Sequence, residues 1–353
     1  MRQHAAFRAQ RESEWGGYLA TMVRFLRLLT FSALSLARLV SAQAPTQAPT
    51  HAPTPAPAEA RTPAPAQAPT PNALGRIPVL VYHLVGDTDS RWGRSREGFR
   101  RDLELLYARG YRPITVSQLV DKQIDVAPGT SPVVITFDDA SPGQFRYVER
   151  NGVLEIDPQS AVGIWLAFSK THPDWGTRAT FCLLPAAKAG HAFFGEKGIE
   201  GQKTEWRYPK LRFLVAQGFE LCDHTLWHAQ LSKDSDAMVQ EQIARGAMAI
   251  DSAVAGYRVR TFALPQGLWP KNRALAREGR WTDPHSHQVI TYKFDAVLDV
   301  TGPPSASPYD TAFHAGSIPR IQVIGDNLAS WLDRIEKTRY QPDGRPRSAG
   351  TPR

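Results

Sequence analysis

Short apolar runs that end in polar residues alternate with helical segments between residues 77 and 340. This alternation is typical of an α/β domain with a parallel sheet, and polar groups at the carboxyl ends of parallel strands are typical of a (β/α) barrel. We therefore predict one barrel-like domain over residues 77–340. The predicted strands are residues 77–83, 133–137, 179–185, 219–223, 261–264, 296–298 and 321–323, and the predicted helices are residues 97–109, 118–122, 160–171, 209–217, 235–255 and 327–337.

The region before this domain has the pattern of an export signal. Two arginines that follow Met22 precede an apolar run at residues 28–37, and small residues then lead to Ala42. We predict that residues 1–42 are an N-terminal extension and a secretory signal peptide, cleaved after Ala42. Met22 is an alternative start, and an uncleaved membrane tether is the alternative to cleavage.

Two further segments flank the predicted domain. Residues 43–72 contain nine prolines, which favour an extended spacer, so we assign residues 43–76 to a Pro/Ala/Thr-rich linker. Residues 341–353 are predicted to be a disordered tail. Since no other stretch approaches the roughly 18 apolar residues of a membrane helix, we expect no stable membrane span after cleavage. The expected location is the periplasm, the cell envelope or the medium.

The charge distribution argues against a nucleic-acid-binding protein. Residues 1–76 hold eight Arg and three Glu, which accounts for +5 of the formal net charge of +8. The remainder, at +3, is nearly balanced, so a basic binding face is not indicated and no nucleic-acid partner is expected.

The chain has two cysteines, Cys182 and Cys222. A disulfide is permitted in an oxidising compartment. Both residues nevertheless lie in apolar strand-like runs without zinc-site spacing, and we predict two buried free thiols.

Two polar pairs at strand ends indicate a divalent-metal hydrolase. Asp138 and Asp139 end the second predicted strand, whereas His224 and His228 begin directly after the fourth. One carboxylate and two imidazoles can hold a metal ion, and the second carboxylate can serve as the base for a hydrolytic water. A helical turn over residues 224–228 would place both imidazoles on one side. Alone, the histidine pair would more often be surface or capping histidines, and the aspartate pair is equally compatible with a charged exit from the strand.

Two weaker features point to the same end of the barrel. Pro265 and Gly267 frame a tight turn after the fifth predicted strand, where the backbone can approach a ligand. His83 ends the first strand, and a catalytic role and a core role are equally compatible with that position.

Four segments together resemble the polysaccharide deacetylase family, also called the NodB-homology family or carbohydrate esterase family 4. They are residues 79–85, 136–139 (Thr-Phe-Asp-Asp), 224–228 (His-Thr-Leu-Trp-His) and 262–267, the last similar to the Phe-Ala-Tyr-Pro-Tyr-Gly form of the third motif of that family. The resemblance covers residues 77–325. It implies a distorted seven-stranded NodB-like (β/α) barrel.

The resemblance also implies roles for particular residues. Asp139, His224 and His228 would hold a divalent metal, with Zn²⁺ preferred and Co²⁺, Ni²⁺ or Mn²⁺ also suited. Asp138 would be the general base. We add His83 as a second catalytic residue, with the turn at Pro265 and Gly267 in substrate binding. The implied reaction removes N-acetyl groups from an acetylated amino-sugar polysaccharide of a cell wall or exopolysaccharide.

The sequence also departs from the family pattern. Ala140 stands where Gly is usual, Asp223 where Asn is usual, and residues 318–323 lack the late Leu-x-His motif. The third-motif arginine is not evident, although Arg260 is nearby. The general acid is therefore unassigned, and the candidates are His83, His285, His287 and His314. Besides N-deacetylation, an O-acetyl polysaccharide esterase and a carbohydrate-binding pseudoenzyme stay open.

Overall fold

The computed structural model describes residues 70–186 and 192–343. The predicted signal peptide, most of the predicted linker and most of the predicted tail lie outside the described residues. Within these ranges, no helix combines the length and the apolar character needed to cross a bilayer.

Fourteen strands and six α-helices build the described part of the chain. The strands are β1 (Val79–Tyr82), β2 (Leu84–Gly86), β3 (Gly93–Ser95), β4 (Tyr111–Ile114), β5 (Ser131–Phe137), β6 (Tyr147–Arg150), β7 (Val153–Ile156), β8 (Thr180–Leu183), β9 (Glu220–Asp223), β10 (Thr261–Ala263), β11 (Glu278–Thr282), β12 (Val289–Lys293), β13 (Ala296–Leu298) and β14 (Ile321–Gln322). The helices are α1 (Arg96–Ala108), α2 (Val116–Val120), α3 (Ala161–Thr171), α4 (Arg207–Gln217), α5 (Asp236–Ala253) and α6 (Asn327–Ile335).

The helices begin where the sequence offers capping side chains. Ser95, Ser160 and Ser235 each accept a hydrogen bond from a backbone N–H in the first turn of α1, α3 and α5. Thr115 and Gln118 form a reciprocal capping box at the start of α2. These side chains satisfy donors that the helices cannot satisfy internally.

A parallel sheet in the order β13-β10-β9-β8-β5-β1-β14 forms the centre of the domain, with β4 also paired to β5. All seven residues of β5 are buried, as expected for a strand covered on both faces. Ile318, just before β14, exchanges backbone hydrogen bonds with β13, and β14 pairs with β1. The sheet therefore curls round on itself, and the predicted distorted (β/α) barrel with seven strands in the circuit is confirmed.

The two faces of the sheet hold different cores. The outer face packs large side chains such as Phe137, Phe181 and Phe262 against the helices. The inner face holds smaller ones, including Val134 and Ala263, in a second cluster. Small interior residues fit the narrow space inside a barrel of few strands.

The prediction of two free thiols was wrong, because Cys182 and Cys222 form a disulfide. The two cysteines are paired partners on neighbouring parallel strands, β8 and β9, and both side chains point into the barrel. The sequence shows that each cysteine lies in a strand but does not show that the two strands are adjacent and in this register.

Replacing Cys182 and Cys222 by alanine is expected to lower the free energy of unfolding by about 2–4 kcal/mol, since the disulfide closes a loop over a sequence separation of 40 residues. Urea denaturation of the wild type and the double variant measures the difference. The wild type under a reductant that reaches the unfolded chain should match the double variant, and equal stability of both proteins would contradict the prediction.

Candidate active site

Alternation along the strands brings the predicted site residues to one end of the barrel. Residues two apart on a strand point to the same face. Val134 and Cys222 point into the barrel. Asp138 is four residues after Val134 and His224 is two residues after Cys222, so both side chains point to the same inner side. Because they lie just beyond the ends of β5 and β9, they stand at the mouth of the barrel. His83 follows β1 in the same way, and the three side chains converge.

Asp139, His224 and His228 form a cluster of potential metal ligands. His224 Nε2 lies 3.4 Å from Asp139 Oδ1, and His228 Nε2 lies 3.6 Å from the same oxygen. One ligand atom from each residue lies within 4.8 Å of the other two. A single ion placed between them can therefore contact all three residues.

Two tight turns of the backbone orient the side chains of this cluster. The predicted helical turn over residues 224–228 was wrong. Residues 225–227 form a turn, with Thr225 at φ 69° and His228 at φ 67°, and not the helical turn expected from the spacing. At the other strand end, Asp139 has φ 75° and the buried Ala140 has φ 49°. The left-handed region strains residues other than glycine, so both loops hold strained backbone beside the ligands.

A backbone hydrogen bond orients the imidazole of His224. Its Nδ1 lies 2.8 Å from Ala263 O, so Nδ1 carries a proton and donates, which directs Nε2 towards Asp139. Burial lowers the pKa of His224, but Asp138 and Asp139 raise it further, and the net shift is upward. The site therefore holds this side chain by electrostatic attraction to the two carboxylates.

The cluster fits a divalent metal by the chemistry of its donors. Burial lowers the pKa of His228 to about 4, with His224 adding to the effect, so this imidazole is neutral at pH 7. Burial raises the pKa of Asp139, but the surrounding imidazoles outweigh it and the carboxyl is ionised. One carboxylate with imidazole nitrogens is a donor set that Zn²⁺ and similar ions use.

Asp138 forms a buried ion pair with Arg320. Arg320 Nη1 and Nη2 donate to the two carboxylate oxygens of Asp138 at 2.7 Å each, and neither residue is more than 1% exposed. Arg320 also donates to Thr136 Oγ1 at 3.0 Å and to the carbonyl oxygen of Asp299. This bidentate geometry fixes the plane of the Asp138 carboxylate.

The ion pair decides the protonation state of Asp138. Burial raises the pKa of this carboxyl, but Arg320 and then His224 lower it by more, and the net shift is downward. Asp138 is therefore ionised at neutral pH. Its Oδ2 lies 4.0 Å from His224 Nε2, so a proton acceptor stands beside the ligand cluster.

His83 lies beside this group in a partly apolar setting. Its ring meets the exposed Trp92 edge-on, with 4.8 Å between ring centroids. Burial lowers the pKa of His83, although Asp138 and Asp139 oppose the shift. His83 is thus a neutral imidazole near both carboxylates.

The predicted turn at Pro265 and Gly267 follows β10 at the same end of the barrel. Pro265 is buried, Gln266 has φ 57° and Gly267 has φ 67°. A Cβ on Gly267 would lie 2.5 Å from Val300 Cγ1, so glycine is required here for space as well as for conformation. The turn packs closely on the segment that follows β13.

The chain matches the family model described as polysaccharide deacetylase over residues 157–279. The match spans both histidines of the ligand cluster and the turn at Pro265 and Gly267, whereas Asp138 and Asp139 precede it. Over residues 157–279 the chain is similar to polysaccharide deacetylases, and the match indicates a hydrolase of the deacetylase class.

Solved structures of deacetylases share the fold. A polysaccharide deacetylase from Bacillus cereus superposes with a TM-score of 0.51 at 14% identity, covering 74% of this chain and 69% of that chain. A Streptococcus pyogenes deacetylase in complex with acetate gives a TM-score of 0.50 at 13% identity, covering 74% of this chain and 98% of that chain. At such low identity the likeness concerns the fold alone.

Asp138 pairs with an arginine that the sequence analysis did not identify. Arg260, considered for that position, instead pairs with Asp121 and Asp295 at the opposite end of β10. Arg320 comes from the segment noted only for its missing histidine. The sequence did contain a signal for Arg320: it lies two residues after the apolar Ile318, so in an extended segment both side chains point to the same, inner side. A charged residue there needs a partner inside the barrel.

The other histidines considered for the acid step lie on the surface. His285 and His287 are exposed in the connection between β11 and β12, and His314 is exposed before β14. Of the four candidates, His83 is the one whose surroundings include Asp138, Asp139 and His224.

Asp223, which stands where the family usually has Asn, is a buried carboxyl with an incomplete set of partners. Its Oδ1 accepts from Thr225 N at 3.0 Å, while Oδ2 has no partner among the described residues. Burial raises its pKa well above 3.8, although His224 opposes the shift. Gly246 of α5 packs so closely on Asp223 that a Cβ there would overlap it.

Asp223→Asn is expected to raise the free energy of unfolding by about 1–2 kcal/mol at pH 7, because it removes the cost of burying a half-paired carboxyl that is ionised in the unfolded chain. A raised native pKa means that the stability of the wild type declines as pH rises above 3.8 through the native pKa. The advantage of the variant should therefore be small near pH 4 and grow towards pH 7. Urea denaturation of metal-free protein at both pH values tests this, and a wild type that is more stable at pH 7 would contradict it.

Proposed function

We propose that this enzyme removes N-acetyl groups from an amino-sugar polysaccharide of a cell wall or exopolysaccharide, using a divalent metal. The observation that carries the proposal is the ionised Asp138 carboxylate beside the cluster of Asp139, His224 and His228. A base next to a metal-ligand set is the arrangement that hydrolysis of an amide by water requires.

Asp139, His224 and His228 would hold the metal, with Zn²⁺ preferred for this donor set and Co²⁺, Ni²⁺ or Mn²⁺ also suited. When bound, the metal supplies polarisation of the acetyl carbonyl and a more acidic water. The hydrogen bond from His224 Nδ1 to Ala263 O keeps the ligand nitrogen in place.

Protons move through Asp138 and His83 in this proposal. Asp138 accepts the proton of the attacking water, and Arg320 holds the accepting oxygens in a fixed plane. The guanidinium disfavours the protonated carboxyl, so the proton passes on readily to the departing amine. His83 is a relay for this same proton, because its neutral imidazole can accept the proton from Asp138 and donate it to the amine nitrogen. The turn at Pro265 and Gly267 would border the sugar.

The test is acetate release by the full chain, stripped of metal and then refilled with Zn²⁺, Co²⁺, Ni²⁺ or Mn²⁺. We expect release from N-acetylglucosamine oligomers that depends on the metal. Release from acetylxylan instead would favour an O-acetyl esterase. Metal bound in stoichiometric amount without release from either substrate would favour a carbohydrate-binding protein, the reading motivated by the missing late histidine.

We further propose that the enzyme is exported. The disulfide between Cys182 and Cys222 supports this, since such bonds persist in oxidising compartments. The predicted signal peptide at residues 1–42 agrees with the same location. Detection of the mature N-terminus after Ala42 in an exported fraction tests the proposal, and retention of the whole chain in the cytosol would overturn it.

A further inference from the structure

One buried amide joins the backbones of the two residues assigned to proton transfer. Gln144 is 0% exposed, and its Nε2 donates to His83 O at 2.6 Å and to Asp138 O through a similarly short bond. Both N–H groups of the amide are thus used on two neighbouring strand ends.

Gln144 replaces a hydrogen bond that the sheet itself no longer provides. β1 and β5 stay paired until Asp138 N donates to Tyr82 O at 2.9 Å. The next bond of a parallel ladder would run from Leu84 N to Asp138 O. Leu84 N donates instead to Trp92 O at 2.9 Å, because the chain turns away into β2. The amide therefore holds the two strands together where they begin to separate.

The backbone of Gln144 is itself fixed. Its N–H donates to Ser141 O at 3.0 Å, and its carbonyl accepts from Val162 N, in α3, at 2.9 Å. The preceding Gly143 packs so closely on Val85 that a Cβ there would overlap Val85 O. Contacts with α3 and β2 thus place the amide before any substrate arrives, as expected for a preorganised group.

The remaining polar atom of Gln144, Oε1, is buried without a partner among the described residues. An unpaired buried acceptor costs free energy. A methionine of similar length would remove that cost together with the two donors. Methionine is therefore the replacement that separates the effect on the site from the effect on stability.

We propose that Gln144 is a positioning residue that sets the distance and orientation between the His83 imidazole and the Asp138 carboxylate, an inference that rests on the proposed function. The hydrogen bonds of the Gln144 side chain go to His83 O and Asp138 O, and none goes to Asp139, His224 or His228 within the described residues. Its loss should therefore slow proton transfer without weakening the metal site. A misplacement of about 1 Å is enough to cost about 100-fold in rate.

Gln144→Met is compared with Gln242→Met, which serves as the matched control. Gln242 is also 0% exposed with an unpaired Oε1, and its Nε2 points at Met238 Sδ, 3.9 Å away. We expect Gln144→Met to lower kcat about 10- to 100-fold with KM and zinc affinity within about threefold, and Gln242→Met to leave kcat unchanged.

Repeating the substitution in a His83→Ala variant distinguishes a positioning role from a general loss of structure. When His83→Ala is already present, Gln144→Met should lower kcat by a clearly smaller factor, because one of the two positioned groups is gone. An unchanged kcat in Gln144→Met, an equal factor in both backgrounds, or a parallel loss of zinc affinity would each overturn the proposal.

The proposal also has a readout that does not need activity. If the wild type releases no acetate, the proposed function fails while the position of His83 can still be measured from its ring resonances in ¹⁵N-labelled, metal-free protein. Gln144→Met should shift those resonances, and the signals of His285 and His314 should stay in place. Gln242→Met should leave all of them in place. His83 signals that do not move in Gln144→Met would overturn the positioning role.

Discussion

Asp138→Asn is expected to lower kcat for acetate release about 10²- to 10⁴-fold while changing zinc affinity by less than about threefold. An amide cannot accept the proton of the attacking water. The three ligand residues, Asp139, His224 and His228, are not altered, so the metal should still bind. Steady-state kinetics on N-acetylglucosamine oligomers gives the first quantity, and competition with a chelator gives the second.

Asp139→Asn is the matched variant one residue away. It removes the anionic member of the ligand cluster, so zinc affinity should fall together with activity, by about 10-fold or more. The two variants should therefore separate binding from chemistry. Wild-type kcat in Asp138→Asn would show that the assigned base is wrong, and loss of zinc in that variant would make Asp138 a ligand.

The grouping of the candidate site residues at one end of the barrel could be predicted, because the alternation of side chains along a strand is visible in the sequence of that strand alone. Asp138 and His224 directly follow apolar strands, and parallel strands place their carboxyl ends together. The family motifs then added the partition of roles between Asp138 and Asp139. The match of the polysaccharide deacetylase model over residues 157–279 includes both histidines but neither aspartate, so those roles stay predictions.

Two predictions failed where the outcome depends on contacts between distant segments. The spacing of His224 and His228 fits one helical turn, yet the chain reaches the same juxtaposition through left-handed residues after β9. The cysteines at 182 and 222 are bonded because β8 and β9 are adjacent and in register. Neither the strand order nor the register of a parallel sheet can be read from a single strand.

Arg320 was missed for a similar reason, since it lies 182 residues from the carboxylate that it contacts. The partner of Asp138 could be sought near the third motif, where Arg260 stands, but that guanidinium is engaged by carboxylates at the other end of its strand. A charged side chain such as Arg320, which lies just before β14 and is fully buried, has to pair inside the barrel. That requirement connects the residue just before β14 to the proposed base, which directly follows β5.

Arg320→Met is expected to lower the free energy of unfolding by about 3–5 kcal/mol, because it leaves the Asp138 carboxylate buried without its partner. Activity should fall as well, since the plane of the carboxylate is no longer fixed. In the wild type the native pKa of Asp138 is lowered, so this group contributes stability above 3.8 that is lost as pH falls through the native value. Without the guanidinium, burial raises that pKa, and the deficit of the variant should widen as pH rises above about 4.

The double variant Arg320→Met with Asp138→Leu separates the cost of an unpaired charge from the value of the pair. Two apolar side chains in place of a buried ion pair are often tolerated, so the double variant should regain most of the stability lost in Arg320→Met, by about 2 kcal/mol or more. It should regain no activity, because the base is absent. Urea denaturation of all proteins in the presence of a chelator, at pH 4 and pH 7, measures these differences. If Arg320→Met alone is as stable as the wild type at pH 7, the ion pair does not hold the base in the way its geometry indicates.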